Sequence, residues 1–344
     1  MNGGMKRLSV ALALAGLLVI SVMLGWYGFD DVVDAVLSVG WSGFFLLFFW
    51  QLVMFLPLGG AWTRIARPVS AASYGVWLWG RMVRDAATNC LPLAQMGGFV
   101  AGARAVTLRG VTWPVATATT IVDVTAEVLA QMAFSGVGLC ILVAREPASK
   151  LAIPVAIGLA VMMAAMAAFI WVQKGAAGLF AKLGRRIGGT GFAGAQARVD
   201  HVQAVLAALY AQPGRLVLAS LLHLTGWFAT GIGGYFAYRL LGAHLEVEDA
   251  IAIEALLHAV LAVAFLVPGA LGVQEAAYAG LGAIFGVPPD MSLSVSILRR
   301  ARDLAVGLPI LLIWQALEMR RLRSAPLGPN PVGGDQNGTR PSIG

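Results

Sequence analysis

Six stretches of this chain, near residues 8–28, 40–62, 115–143, 151–172, 215–240 and 293–318, read as membrane crossings, each close to the roughly 20 residues that carry a helix through hydrocarbon. Lipid leaves the backbone only two solutions, helices or a closed barrel, and runs this long are helical. Hydrophobic residues make up 59% of the 344 and charged residues 12%, with a mean hydropathy of +0.80, which sets aside soluble and disordered classes. The expected fold class is an all-α polytopic membrane protein. The first run follows Lys6-Arg7 as a secretory signal would, but it lacks a small-x-small cleavage site and further spans follow, so it reads as a retained helix. Cys90 and Cys140 fall inside apolar runs, which argues against a disulfide framework.

Two further apolar segments, near 70–108 and 250–287, are interrupted by Leu91-Pro92-Leu93-Ala94-Gln95-Met96-Gly97-Gly98 and by Val267-Pro268-Gly269-Ala270-Leu271-Gly272-Val273-Gln274-Glu275. Pro92 and Pro268 each remove an N–H and free carbonyls of the preceding turn. Gly97, Gly98, Gly269 and Gly272 permit left-handed turns and close backbone approach. Backbone that leaves the helix inside a bilayer survives only around a cavity, so each segment reads as a re-entrant helical hairpin. Gly98-x-x-x-Gly102 and Gly282-x-x-x-Gly286 are read more simply as helix-packing pairs.

The positive-inside rule orients the chain. Basic residues from Lys6 and Arg7 through Arg64, Arg104 and Lys174 to Arg320 and Arg321 collect on one side, against Arg145, Lys150 and Arg239 on the other. Both termini are thus expected in the cytoplasm, and the net charge of +7 reflects orientation rather than nucleic-acid binding. The first hairpin then dips in from the cytoplasm and the second from outside, which makes residues 1–143 and 151–320 an inverted repeat. Aligning Pro92 with Pro268 brings Gly110-Val111 onto Gly286-Val287, Asp123 opposite Arg299 and Glu127 opposite Asp303. One transmembrane domain is expected over 1–323. Within it, 174–213 forms a cytoplasmic connection whose Val199, Val202, Leu206 and Leu209 fall at helical spacing. A disordered tail is expected over 324–344.

Arg81, Arg84, Asp85, Asp123, Glu127, Glu254, Glu275, Arg299, Arg300, Arg302 and Asp303 lie in or near the expected bilayer. Unpaired, they would cost roughly 30 kcal/mol at about 2.5–3.5 kcal/mol each, more than a domain's stability. They must pair or be hydrated. Arg81 and Asp85, Asp123 and Glu127, and Arg299 and Asp303 are each four apart on one helix face. Two readings stand: an ion-pair lattice locking helices together, or a hydrophilic groove receiving a polar headgroup, anionic or hydroxylated where guanidinium faces it. Asn89, Gln95, Gln274 and Glu275 are the nearest uncommitted polar groups at the breaks. Glu254 and His258 share a helix face and are candidates for proton coupling, although a histidine satisfied by a neighbour is the plainer account there and at His223.

No phosphate-binding loop of the Gly-x-x-x-x-Gly-Lys type occurs, the four histidines lack metal-ligand spacing, and no cofactor is expected.

Val267–Glu275, Ala279-Gly280-Leu281-Gly282 and Leu298-Arg299-Arg300-Ala301-Arg302-Asp303-Leu304 together resemble the flippase-like membrane domain family, also called the lysylphosphatidylglycerol synthase transmembrane region. Arg81–Asp85, Asn89–Gly98 and Val122–Leu129 resemble its hopanoid-biosynthesis-associated branch, the HpnL type. The likeness runs to about residue 320. It implies movement of a hopanoid or phospholipid between leaflets of a bacterial inner membrane, with partner proteins of lipid biosynthesis in prospect. Unlike the bifunctional synthases, this sequence has no soluble acyltransferase-like domain after the membrane part, so aminoacylation of phosphatidylglycerol is not expected. The competing classes are a membrane-embedded enzyme using Asp123, Glu127 or Glu275 as general acid or base, and a scaffold for lipid-pathway enzymes.

Overall fold

A computed structural model describes residues 29–91, 94–147, 152–187, 190–263 and 272–324. Ten helices account for the regular structure among them. They are α1 (Phe29–Ala66), α2 (Tyr74–Cys90), α3 (Ala94–Thr107), α4 (Trp113–Arg145) and α5 (Ala152–Ile187) in the first part of the chain. The second part supplies α6 (Thr190–Tyr210), α7 (Pro213–Leu240), α8 (Val247–Val263), α9 (Val273–Ile284) and α10 (Pro289–Ser324). The expected crossing at 8–28, Pro92, Pro268, Gly269 and the tail beyond Ser324 lie outside the described residues.

Among the described residues four helices are long and apolar enough to cross a membrane: α1 over Val36–Ala66, α4, α5 over Ile153–Trp171, and α7. The expected crossing at 293–318 falls within α10, where Arg299, Arg300, Arg302 and Asp303 interrupt the apolar run. Lipid-facing character shows on the outside of the bundle. Trp41, Phe45, Phe49, Val53 and Leu56 form an exposed stripe along α1, and Ile153, Ile157, Val161 and Trp171 another along α5. Water would penalise such stripes, whereas hydrocarbon does not.

Helix ends follow local chemistry. Leu91, the residue before Pro92, is extended (φ −116, ψ 147), as the proline ring requires of its predecessor, and α2 stops there. At the far ends of α3 and α9, Gly110 (φ 93) and Gly286 (φ 75) take the left-handed conformation. In both, the next residue's N–H closes the end of the helix, Val111 to Val106 O and Val287 to Gly282 O, and the valine is buried.

Glycine allows the close contacts. α2 and α3 run antiparallel as a hairpin: a Cβ at Gly98 would overlap Thr88 Oγ1, one at Gly102 would stand 2.8 Å from Arg84 Cβ, and one at Gly80 would overlap Val106. Gly98 and Gly102 thus act as the packing pair expected of them. In the second pair only Gly282 is a packing residue, pressed on Ser292. Gly286 has open space around its Cβ and is needed for its positive φ. Elsewhere α1 lies along α7, with Leu58 against Gly226 and Trp50 Nε1 donating to Ala229 O at 2.8 Å. α2 packs on α10 through Cys90 and Gly307, and α8 packs on α4 through Ala255 and Gly138.

Between α5 and α7, α5 runs on to Ile187, past the expected end near 172, and α6 follows. The apolar face of α6, with Val205, Leu206 and Leu209 buried, lies against Ala118, Val122 and Ala126 of α4.

Candidate charge clusters and the cleft between them

The intramembrane charges expected from sequence gather into two clusters. In the first, α2 contributes Arg81, Arg84 and Asp85, α4 contributes Asp123 and Glu127, and α7 contributes His223. Arg84 Nη1 donates to Asp123 Oδ2 at 2.8 Å, and its Nη2 donates to Glu127 Oε2. Arg81 Nη2 donates to Glu127 Oε1 at 2.6 Å, and Arg81 Nε holds Asp85 at 3.0 Å one turn along α2. His223 Nε2 lies 3.0 Å from Asp123 Oδ1. The Arg84 guanidinium also stacks over Phe99 of α3, 4.7 Å from the ring centroid, a contact of about 0.5–2 kcal/mol.

In the second cluster α8 contributes Glu254 and His258, α9 Gln274, Glu275 and Tyr278, and α10 Arg299, Arg300, Arg302 and Asp303. Arg299 Nη1 donates to Glu254 Oε2 at 2.6 Å and to Tyr278 OH at 3.0 Å, while Tyr278 OH donates to Glu254 Oε1 at 2.6 Å. His258 Nδ1 meets the backbone carbonyl of Glu254 at 2.8 Å, and Nε2 meets Arg299 Nη2 at 3.1 Å. A carbonyl can only accept and a guanidinium can only donate, so this ring carries its hydrogen on Nδ1. Arg300 Nη2 pairs with Glu275 Oε1 at 2.8 Å, Arg302 Nη2 with Asp303 Oδ1 at 2.7 Å, and Gln274 Nε2 donates to Ser296 Oγ at 2.9 Å.

The two clusters use the same kind of helix pair with the signs exchanged. In the first, the arm α2 brings the arginines and the long helix α4 the acids; in the second, the arm α8 brings the acid and α10 the arginines. The inner acids, Asp123 and Glu254, are 0% and 2% exposed at their side chains, whereas the outer ones, Asp85 and Asp303, are 19% and 17% exposed.

Those outer acids face one another's helices. A cleft between α1, α2 and α10 is lined by the polar groups of Gln51, Asp85, Asn89 and Asp303 together with apolar Phe55, Val306 and Ile310. A second opening is lined by Glu254, Tyr278, Arg299 and Arg302, with Gly233 and Gly234 of α7.

Of the residues singled out from sequence, Arg81, Arg84, Asp85, Asp123 and Glu127 therefore meet in one cluster, and Glu254, His258, Gln274, Glu275, Arg299, Arg300 and Asp303 belong to the other. Asn89 lines the cleft. Gln95 and Gly97 fall in the first turn of α3, and Gly272 (φ 76) stands at the N-terminus of α9. His223, Tyr278 and Gln51 were not chosen from sequence, although each touches a cluster or the cleft. Among the described residues no group of three or more His, Cys, Asp or Glu side chains is arranged to hold a metal ion.

Among the described residues, ten helices, four of them long and apolar enough to span a bilayer, with exposed apolar stripes on α1 and α5 and buried ion-pair clusters between helices, define a multi-pass helical membrane protein. The sequence pattern of the family described as the lysylphosphatidylglycerol synthase TM region matches residues 9–310, and the chain belongs to that lipid-related membrane family. No curated protein and no solved structure matches the chain.

Proposed function

We propose that this protein is a transporter that carries the polar part of a membrane lipid, a hopanoid or a phospholipid, between leaflets of a bacterial inner membrane. In this reading residues 1–143 and 151–320 are inverted repeats whose hairpins, α2–α3 and α8–α9, enter the membrane from opposite faces, with both termini in the cytoplasm. The matched left-handed glycines at 110 and 286 support it, as do the reciprocal packing of α2 on α10 and α8 on α4 and the sign-exchanged ion pairs. The family membership supports a lipid substrate, and the resemblance to the hopanoid-associated branch supports a hopanoid.

The observation that carries the proposal is the cleft between α1, α2 and α10. Polar groups from both halves, Asp85 with Asn89 and Asp303, line it beside the apolar side chains of Phe55, Val306 and Ile310. A headgroup in such a cleft exchanges water for fixed polar partners while its hydrocarbon stays beside apolar side chains, which lowers the cost of crossing. The arginines are already engaged with carboxylates, so the groups open to a substrate are carboxylate and amide oxygens and amide N–H.

The test is the lipid inventory of cells carrying wild-type protein or Asp303→Asn at equal abundance. A transporter leaves the total of every lipid unchanged and shifts one lipid between leaflets. Loss of a lipid species from the total, with none displaced, would instead identify an enzyme.

A further inference from the structure

The cleft and the second opening lie along the same two helix faces. α1 gives Leu47 to the second opening, then Gln51 and Phe55 to the cleft, each one turn after the last. α10 gives Val295, Arg299 and Arg302 to the second opening, then Asp303, Val306 and Ile310 to the cleft, at helical spacings within each group. α1 and α10 pack on one another, and in both the numbering rises from the second opening to the cleft, so the two helices run parallel beside one furrow. From Val295 to Ile310 the rise is about 22 Å at 1.5 Å per residue, most of the roughly 30 Å of a hydrocarbon core. α7 adds Gly233 and Gly234 to the lining at one end, and α2 adds Asp85 and Asn89 at the other.

We infer that the two openings are successive parts of one headgroup path along α1 and α10, and that Arg302, paired with Asp303, is the septum between them. Neighbouring residues point about 100° apart on a helix, so Arg302 and Asp303 enter different parts of the furrow and meet only because the arginine is long. Arg302 Nε and Nη2 both donate to Asp303 Oδ1, at 3.0 and 2.7 Å. At the same level a Cβ on Gly233 would stand 3.1 Å from Trp50 Cδ1 and 3.9 Å from Arg302 Nη1, so indole and guanidinium approach over bare backbone. Trp50 is pinned by its bond to Ala229 O, which leaves Arg302 as the part that moves.

The role in transport rests on the function proposed above. A headgroup donor that replaces Arg302 at Asp303 frees the guanidinium, and Glu254, lining the second opening with it, is a second carboxylate with lone pairs to receive it. Pro57 of α1 and Pro309 of α10 stand beside Phe55 and Ile310, at the same end of the furrow. Each removes a rung of its helix's hydrogen bonds, so both helices can bend where the cleft has to widen.

The test places single cysteines in the full chain, in a Cys90→Ala, Cys140→Ala background, and labels right-side-out and inside-out vesicles with a small membrane-impermeant methanethiosulfonate. Val295→Cys is expected to react from one face only and Val306→Cys from the other only. With Arg302→Ala added, each is expected to react from both faces. Ser135→Cys, buried between α4 and α8, is expected to stay unlabelled throughout. Labelling of both furrow cysteines from the same face, or of neither from any face, would overturn the path, and neither result needs the arginine variant to fold. Sidedness retained in Arg302→Ala would overturn the septum. So would labelling of Ser135→Cys in that variant, which would trace the change to a loosened bundle. Lipid exchange is a separate readout: the expected labelling without exchange by the wild type would contradict the transporter reading and not the path.

Discussion

Asp85 and Asp303, from α2 and α10, line the same cleft although each belongs to a different ion-pair cluster. Each is held on one side by an arginine, Asp85 by Arg81 at 3.0 Å and Asp303 by Arg302 at 2.7 Å, and each remains partly exposed to the opening. Replacing either by Asn keeps its shape and removes its charge. Charge-assisted hydrogen bonds are worth about 1.5–3 kcal/mol, so transport by Asp85→Asn or Asp303→Asn is expected to fall by about tenfold or more, with thermal stability changed far less. Exchange rates and melting temperatures measured on the same preparations check this.

Arg84 sits between two carboxylates in the most enclosed part of the bundle. Arg84→Ala takes from Asp123 and Glu127 one of the two arginines that hold them, leaving Glu127 to Arg81 and Asp123 to Arg81 and His223, and the loss of one partner from a buried ion pair costs about 3–5 kcal/mol. Arg104 and Glu318 also meet, at 2.5 Å between α3 and α10, but their side chains are 33% and 19% exposed. Glu318→Ala is therefore expected to cost about 0–1 kcal/mol. Unfolding in mild detergent should rank the two variants in that order, and equal stability would mean that the first cluster is hydrated.

Gly98 and Gly136 give a matched pair of alanine substitutions. A Cβ at Gly98 would overlap Thr88 Oγ1 and stand 2.8 Å from Arg84 O, whereas one at Gly136 meets nothing within 4 Å. Gly98→Ala is expected to destabilise by about 1–3 kcal/mol by forcing α2 and α3 apart. Gly136→Ala, in the interior of α4, is expected to stabilise by about 0.5–1 kcal/mol. Thermal unfolding of both in detergent decides it.

Gly110→Ala and Gly286→Ala test backbone rather than space, because neither position has a neighbour within 4 Å of a new Cβ. The left-handed conformation costs an L-residue about 1–2 kcal/mol, and both variants should lose that amount. A loss at only one would break the likeness between the two hairpin ends.

The long elements were legible in sequence because an apolar run of about 20 residues has one stable outcome in lipid. Expected bounds of 115–143 and 215–240 meet helices at Trp113–Arg145 and Pro213–Leu240. The end of α2 was legible too, since Pro92 dictates the backbone of Leu91. Charge pairs within one helix, such as Arg81 with Asp85, follow from the 3.6-residue period. Pairs between helices do not. His223 meets Asp123 across 100 residues of chain, and Tyr278 meets Glu254 across two helices. No periodicity announces which face of α7 turns toward α4. Gly286 was read as a packing residue because a Gly-x-x-x-Gly spacing looks the same whether its second glycine supplies space or a positive φ.

Leaflet-resolved exchange of headgroup-labelled lipids in proteoliposomes, hopanoid and anionic phospholipid in parallel, tests the transporter reading most directly. Wild-type protein should exchange one lipid class faster than protein-free vesicles do, and Asp303→Asn should lose most of that rate while remaining folded. Absence of exchange for every lipid, in vesicles where the wild-type protein is folded, would contradict it.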